Sequence, residues 1–244
     1  MAENPTIPGN SESVQFEEKP QKNLIRDFFG IITDPTKAFK NILSAGYWVG
    51  IFIVILIVAA GLEQIYHAQV VKVAVDKIAE QAASSGQDMQ TAIDFYENQA
   101  ISRPLYMFFT IAGHFVMLLI GAILYFFLCS VIFGGTAKFK QVWIITVWAS
   151  VIYLIDMIIK TPLILAKDSI HAGLNFGLLF SEEMVGAKLH NGFGALDIFG
   201  IWHFIVMGLG LAVLYKFSTK KGIGISFIVW LVMTAVGFIA AYVS

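Results

Sequence analysis

Five stretches of this 244-residue chain are apolar enough to leave water and enter a lipid bilayer. They cover residues 46–62, 105–133, 142–159, 198–215 and 223–243. A helix rises about 1.5 Å per residue, so about 20 residues cross a hydrocarbon layer of about 30 Å. The first stretch is marginal in length and the second is long. Backbone polar groups in lipid must be bonded internally, and these stretches are too long for barrel strands, so each predicts a transmembrane helix.

Composition favours the same fold class. Hydrophobic residues make up 57% of the chain and charged residues only 14%, too few to cover the surface of a soluble domain. We therefore predict an all-α, polytopic membrane helix bundle with five transmembrane helices. A net charge of −1 gives no overall field that would attract nucleic acid, so we expect no nucleic-acid partner.

The distribution of basic residues predicts how the helices are threaded. Ten of them lie before the first stretch, after the second or after the fourth: Lys19, Lys22, Arg26, Lys37, Lys40, Lys138, Lys140, Lys216, Lys220 and Lys221. Positively charged segments are retained in the cytoplasm. We therefore expect a cytoplasmic N-terminus and a C-terminus outside.

The chain divides into three predicted regions. Residues 1–20 are polar and predict a disordered tail, and we expect no cleavable signal peptide because no long apolar core precedes residue 46. Residues 21–45 predict two short amphipathic helices at the inner membrane interface, the second with Asp34 as N-cap and Pro35 in its first turn. These helices either anchor the bundle or recruit a cytoplasmic partner. Residues 46–244 form the transmembrane domain.

Two long connections lie on the predicted outer side. Residues 63–103 predict a helical hairpin, broken at Ser84, Ser85 and Gly86. Residues 160–197 are less periodic and contain an apolar run, 174–180, that is too short to span. This run predicts either a segment in the outer interface or a lid over a cavity.

Small residues at spacing four predict close contacts between helices, either inside the bundle or between copies of the chain. The pairs are Gly46 with Gly50, Gly208 with Ala212 and Gly237 with Ala241, and Gly113 and Gly121 mark a further helix.

Ionisable residues at membrane depth are the sharpest indication of function, because each needs a partner or water there. Those that the threading brings to the outer half are Glu63, His67, His114, Asp156 and His203. They are candidates for a divalent metal site, a proton relay or a polar network that fixes helix register. A purely structural role fits as well, since Asp156 can pair with Lys160 and His114 can bond a neighbouring carbonyl.

Motifs of the common enzyme classes are missing from the sequence. It contains no phosphate-binding loop ending in Lys-Ser/Thr, no Gly-x-Ser-x-Gly elbow and no cysteine cluster. Glu63 and His67 do not form a His-Glu-x-x-His zinc motif. We therefore expect no enzyme activity, and no pattern identifies a cofactor.

Several short blocks of the sequence together carry a resemblance to a known family. They are Asp34-Pro-Thr-Lys-Ala-Phe39, Gly134-Gly135 followed by Phe139, Leu174-Asn-Phe-Gly-Leu-Leu179, Leu196-Asp-Ile-Phe-Gly-Ile-Trp-His203 leading into Gly208-Leu-Gly-Leu-Ala-Val-Leu-Tyr215, and Ile228-Val-Trp-Leu-Val232. In this order they resemble the bacterial branch of the Yip1 domain family. The resemblance covers residues 28–243 and implies a bundle of five spans. Eukaryotic relatives act in vesicle traffic between the endoplasmic reticulum and the Golgi and contact small GTPases. Their Asp-Leu-Tyr-Gly-Pro signature does not appear here, so the resemblance favours the bacterial cytoplasmic (inner) membrane and not GTPase binding.

The sequence therefore predicts a membrane scaffold or adaptor of the Yip1 type, acting in membrane organisation or trafficking. Its partners would be membrane lipids, proteins at the cytoplasmic face and, if the small-residue faces meet between chains, further copies of itself. The alternative is a transporter or channel component for a small solute, an ion or protons, or a metal-binding membrane protein. In that case the five outer-half residues would form its polar centre.

Overall fold

The computed structural model describes residues 21–86, 88–170, 172–176, 184, 186 and 196–243, without the side chains of 100 and 237–243. The helices bounded within these residues are α1 (Leu24–Thr33), α2 (Pro35–Ala45), α3 (Val49–Ile65), α4 (His67–Ser85), α5 (Gln90–Glu97), α6 (Gln99–Phe126), α7 (Phe139–Ala149), α8 (Val151–Lys167), α9 (Ile198–Tyr215) and α10 (Thr219–Val243). A π-helical segment, Phe127–Ile132, continues α6. The all-α prediction is confirmed. The predicted tail, 1–20, and most of the run 174–180 lie outside the described residues.

Four helices in the described part of the chain are long and apolar enough to cross a membrane. They are Ile101–Ile132, Phe139–Lys167, Ile198–Tyr215 and Thr219–Val236. The remaining predicted span, the first in the chain, corresponds to α2 and α3, which are bent by 119° and pass the same test only as a pair. By itself α3 has 17 residues, about 25 Å, which is the marginal length expected for the first span. A polytopic bundle of four to five spans is thus confirmed, while the side on which each terminus lies stays a prediction.

The two short helices before the first span pack against the bundle. Asp34 caps α2 by accepting a hydrogen bond from the Lys37 backbone N–H at 3.1 Å, and Pro35 occupies the first turn. Ile31 and Phe39 are fully buried, whereas the Ile25 side chain on the other face of α1 is 70% exposed. Some apolar residues of α1 and α2 are therefore buried in the bundle core, and others are exposed at the surface of the protein.

A buried carboxylate joins these helices to the first span. Asp27 accepts hydrogen bonds from Arg26 Nε at 3.0 Å, from Asn41 Nδ2 at 2.7 Å and from the Tyr47 hydroxyl. Only 2% of Asp27 is exposed. Because buried charges are stable only when paired and hydrogen-bonded, this network fixes α1 and α2 against the turn into α3.

The core of the bundle is the first half of the central span. Every residue from Val142 to Ser150 is buried. Trp148 is fully buried, and its indole Nε1 donates a hydrogen bond to the Tyr47 carbonyl at 3.0 Å. Helices α1, α2, α3, α6 and α9 all contact α7, so this helix holds the N-terminal and C-terminal parts of the chain together.

The helical hairpin predicted between the first two spans is present, while the side of the membrane on which it lies stays a prediction. Helix α4 ends at Ser85 and is capped by Gly86, which has a φ of 66°, and α5 follows after a short break. At its base, Lys72 Nζ donates to Asp168 Oδ2 at 2.7 Å. This contact holds the pKa of Asp168 below its usual range, and it ties α4 to the end of α8.

Glycines allow α9 and α10 to touch backbone to backbone, which confirms the predicted face at Gly208 and Ala212. A Cβ added at Gly208 would lie 2.5 Å from Ile223 Cα. Gly46, in contrast, follows the last residue of α2 in the left-handed region at a φ of 65°, so it does not share a helical face with Gly50, whose added Cβ would lie 3.1 Å from Leu24 of α1. The contacts predicted inside the bundle at Gly113 and Gly121 are not made, because a Cβ at either position would meet no described residue within 4 Å. Contacts between copies of the chain through these glycines stay a prediction. The side chains around Gly237 and Ala241 lie outside the described set.

Replacing Gly208 by alanine should destabilise the bundle, because the added methyl group meets the backbone of α10, which cannot move aside cheaply. Overpacking of this kind costs about 1–3 kcal/mol. We expect a lower midpoint of thermal unfolding in detergent for Gly208→Ala. Gly224→Ala on α10 is the matched control, since a Cβ there meets nothing within 4 Å. Equal midpoints for the two variants would contradict the close contact.

Candidate functional site

A cavity of about 790 Å³ lies among α3, α6, α8, α9 and α10. Most of its wall is apolar, with side chains such as Ile55, Met117, Leu154 and Trp230. Helices α6 and α8 face each other across it. The polar residues described below interrupt this apolar wall.

Four of the five predicted polar residues line this cavity. Glu63 comes from α3, His114 from α6, Asp156 from α8 and His203 from α9. These helices are far apart in sequence, so only the packing of the bundle brings the four groups to one space.

His67 lies elsewhere. A spacing of four places Glu63 and His67 on one face only if the helix is continuous, but α3 ends at Ile65 and α4 begins at His67. The His67 ring packs edge-on against Tyr106 with centroids 5.2 Å apart, and its Nδ1 has no hydrogen-bond partner in the part of the chain that the structure describes. Burial, together with the positive charge of Arg103, lowers the pKa of His67. A neutral imidazole packed on an aromatic ring is typical of a structural residue.

Glu63 and His114 form the most closely coupled polar pair in the cavity. Glu63 Oε2 accepts a hydrogen bond from Thr110 Oγ1 at 2.7 Å, and its Oε1 lies 3.8 Å from His114 Nε2. His114 Nδ1 lies 2.9 Å from the Thr110 carbonyl oxygen, as the structural alternative predicted. Since a carbonyl can only accept, Nδ1 carries a proton. Nε2 and the Glu63 carboxylate, at 3.8 Å, are close enough for an electrostatic contact but too far apart for a hydrogen bond.

Asp156 and Lys160 face the same cavity from α8. They stand one helical turn apart, yet they do not form one of the ion pairs found within 4 Å among the described residues. The pairing that the sequence offered as a structural explanation for Asp156 is therefore not made. Both charged groups remain on the cavity wall.

His203 presents an unpaired nitrogen. Its ring stacks on Tyr153 with centroids 4.2 Å apart, and the residue is only 8% exposed. Among the residues that the structure describes, its Nε2 has no hydrogen-bond partner. Leaving a buried polar atom without a partner costs about 1–3 kcal/mol.

The polar residues do not form a ready coordination shell. Within the part of the chain that the structure describes, no three His, Cys, Asp or Glu residues are placed to hold one metal ion. The four cavity residues are distributed as the Glu63–His114 pair and two separate groups. Divalent metals such as zinc take at least three protein ligands, so this arrangement gives the metal hypothesis no support.

Sequence reasoning missed the uncharged part of the site. Four tyrosines also line the cavity: Tyr66, Tyr106, Tyr125 and Tyr153. On α6 the lining residues Thr110, Gly113, His114, Met117 and Gly121 follow a helical repeat of three and four. This repeat, which contains two glycines, a threonine and a histidine, could have identified from the sequence which side of α6 faces the cavity.

Residues that carried the family resemblance contact one another in the structure. A Cβ at Gly210 would meet the Phe39 ring at 3.0 Å, and Gly135 lies directly against Tyr215. The family model described as the Yip1 domain matches residues 29–241. A search of curated proteins and a search of solved structures gave no match. The matched region includes all the membrane-spanning helices and the cavity.

Substituting the two cavity histidines by phenylalanine should have opposite effects on stability. His203→Phe keeps the stacking on Tyr153 and removes an unpaired nitrogen, so we expect a higher midpoint of thermal unfolding in detergent. His114→Phe removes the bond to the Thr110 carbonyl and the contact with Glu63, so we expect a lower midpoint, by about 1 kcal/mol in free energy. A lower midpoint for His203→Phe would mean that Nε2 has a partner in the isolated protein, contrary to its unpaired geometry.

Proposed function

The chain belongs to the Yip1 domain family and is an integral membrane protein, and we propose that it is a non-catalytic scaffold that binds one lipid-class molecule in its cavity. The cavity of about 790 Å³, with an apolar wall and a few polar groups, is the observation that carries this proposal. From the distribution of lysines we further propose that it resides in the bacterial cytoplasmic membrane with its N-terminus inside.

The size and wall of the cavity suit an amphipathic ligand. Binding cavities for small molecules have volumes of about 300–1,000 Å³ and are mostly apolar with a few polar groups that fix orientation. Phe109 and Met117 line the cavity and are 62% and 55% exposed, so this part of the wall is accessible from outside the protein. We propose that a lipid enters here sideways from the bilayer without crossing water.

The polar groups favour a headgroup that donates hydrogen bonds. The carboxylates of Glu63 and Asp156 accept, and the unpaired Nε2 of His203 accepts in one of its two neutral tautomers. Lys160 supplies one positive charge on the same wall. An amine-bearing or polyhydroxyl headgroup matches these hydrogen-bond acceptors better than a headgroup that carries a carboxylate of its own.

Filling the cavity should remove the bound lipid. Gly113→Leu and Gly121→Leu place a side chain in open space inside the cavity, since a Cβ at either position meets nothing within 4 Å. Gly61→Leu and Gly224→Leu are matched controls, because they are equally free of contacts but do not line the cavity. We expect native mass spectrometry of protein extracted from membranes to show one retained lipid in the wild type and the controls. The cavity variants should lose it by about tenfold or more, because the added side chain occupies the space of the ligand. Equal retention in all five proteins would refute the proposal.

A second candidate function is transport of a small solute or of protons. It is favoured by one observation, namely that ionisable groups from four helices face one cavity, in which Glu63 Oε1 lies 3.8 Å from His114 Nε2. If this function is correct, proteoliposomes should show a flux that His114→Ala and Asp156→Asn abolish, because each removes an ionisable group from the cavity wall. Glu80→Gln, on the exposed surface of α4, should leave the flux unchanged. A scaffold should show no flux above that of empty liposomes and should co-purify with specific partners.

A further inference from the structure

Positive charge is concentrated at the end of the bundle that lies away from the cavity. The basic residues of this end are Lys22, Arg26, Lys37, Lys40, Lys138, Lys140, Lys216, Lys220 and Lys221. Contacts hold their segments together: Ser130 and Tyr215 share a hydrogen bond of 2.9 Å, and Lys221 Nζ lies 5.0 Å from the centre of the Phe133 ring. The acids among the described residues of these segments are Asp27, which is buried and bonded, and Asp34, which caps α2. The surface at this end of the bundle is therefore strongly basic.

A groove of about 410 Å³ lies within this basic end, between α2 and the turn from α9 to α10. Its lining combines two ammonium groups and two hydroxyl groups with apolar side chains. The residues are Thr36, Lys40, Leu209, Ala212, Val213, Lys216, Phe217 and Thr219. The groove thus offers hydrogen-bond donors beside an apolar floor, and that floor is formed largely by the membrane-spanning helix α9.

The two lysines of the groove are available to a ligand. Neither belongs to an ion pair among the described residues, and both are exposed. Lys221 differs, because its Nζ lies 3.9 Å from the centre of the Phe217 ring. Lys216 ends α9 in the left-handed region at a φ of 54°, where glycine is the easier residue. A lysine therefore stands at a position where the backbone conformation favours glycine, and it places a positive charge at this edge of the groove.

We propose that this groove binds the phosphate of an anionic phospholipid. Lys40 and Lys216 pair with the phosphate oxygens, and the hydroxyls of Thr36 and Thr219 donate hydrogen bonds to them. An acyl chain then follows Leu209 and Val213 along α9. This apolar continuation selects a lipid over free phosphate, since a soluble anion gains nothing from that floor. The inference does not rest on the cavity ligand, because the groove and the cavity lie at opposite ends of α9.

The test compares two pairs of lysines at the same end of the bundle. The groove pair, Lys40→Gln with Lys216→Gln, removes both positive charges of the groove. The control pair, Lys37→Gln with Lys220→Gln, removes two positive charges at positions that do not line the groove. The full-length proteins in a neutral detergent are titrated with phosphatidylglycerol, with phosphatidylcholine or with inorganic phosphate, and thermal unfolding is followed.

We expect phosphatidylglycerol, but not phosphatidylcholine, to raise the unfolding midpoint of the wild type and of the control pair. The groove pair should need at least about tenfold more of the lipid for the same rise, because two charges near the phosphate are lost. Lys40→Arg with Lys216→Arg should respond like the wild type, which separates loss of charge from loss of folding. Gly113→Leu should also respond like the wild type, so failure of the cavity proposal would leave this result unchanged.

Three outcomes would overturn the inference. An equal loss of response in the groove pair and the control pair would indicate diffuse attraction to the basic surface. A rise of the same size with inorganic phosphate would indicate a soluble anion as the ligand. An equal response to phosphatidylcholine, whose phosphate is balanced by its own choline cation, would show that the groove does not recognise the net negative charge of an anionic phospholipid.

Discussion

The burial of α7 on all sides is the contact on which the rest of the structure depends. In lipid each helix bonds its own backbone, so a bundle is held by close packing and by a few polar contacts between helices. The stretch from Val142 to Ser150 has no exposed face, and Trp148 reaches from it to the Tyr47 carbonyl. This hydrogen bond joins the turn that follows α2 to the buried centre of the bundle.

The close packing around α7 does not continue along the whole span, and this difference divides the bundle into two functional ends. At the basic end, Gly208 lets α9 and α10 approach to backbone contact, and Gly210 lets the side chains of Phe39 and Ile145 lie directly against α9. Asp27 joins the first two helices to the turn before the third. At the other end, α6 presents Gly113 and Gly121 to open space. Stability therefore comes mainly from one end, while the other keeps a volume that a ligand is able to fill.

The position of a polar residue was predicted well where its depth in the membrane depends on a single helix. It was predicted poorly where a break between helices or a contact with another segment determines what surrounds it. Glu63, His114, Asp156 and His203 do reach one cavity, as expected from helices that cross the same layer. His67 does not, because the break at Tyr66 changes the direction of the chain between α3 and α4. Asp27 stands beside Arg26 in the sequence, and nothing there indicates that it is buried. Its burial depends on Asn41 and Tyr47, which come from other segments.

The sequence by itself determined the all-α class, the spans and the concentration of lysines on alternate connections. These properties follow from the local balance between apolar side chains and lipid, which each stretch satisfies alone. Only the tertiary structure decided which glycines touch a neighbour and where a cavity remains. Gly208 and Gly113 both lie in apolar helices beside other small residues, yet one meets the backbone of α10 and the other meets nothing. That difference depends on how the helices cross, a relation between distant segments that no local pattern contains.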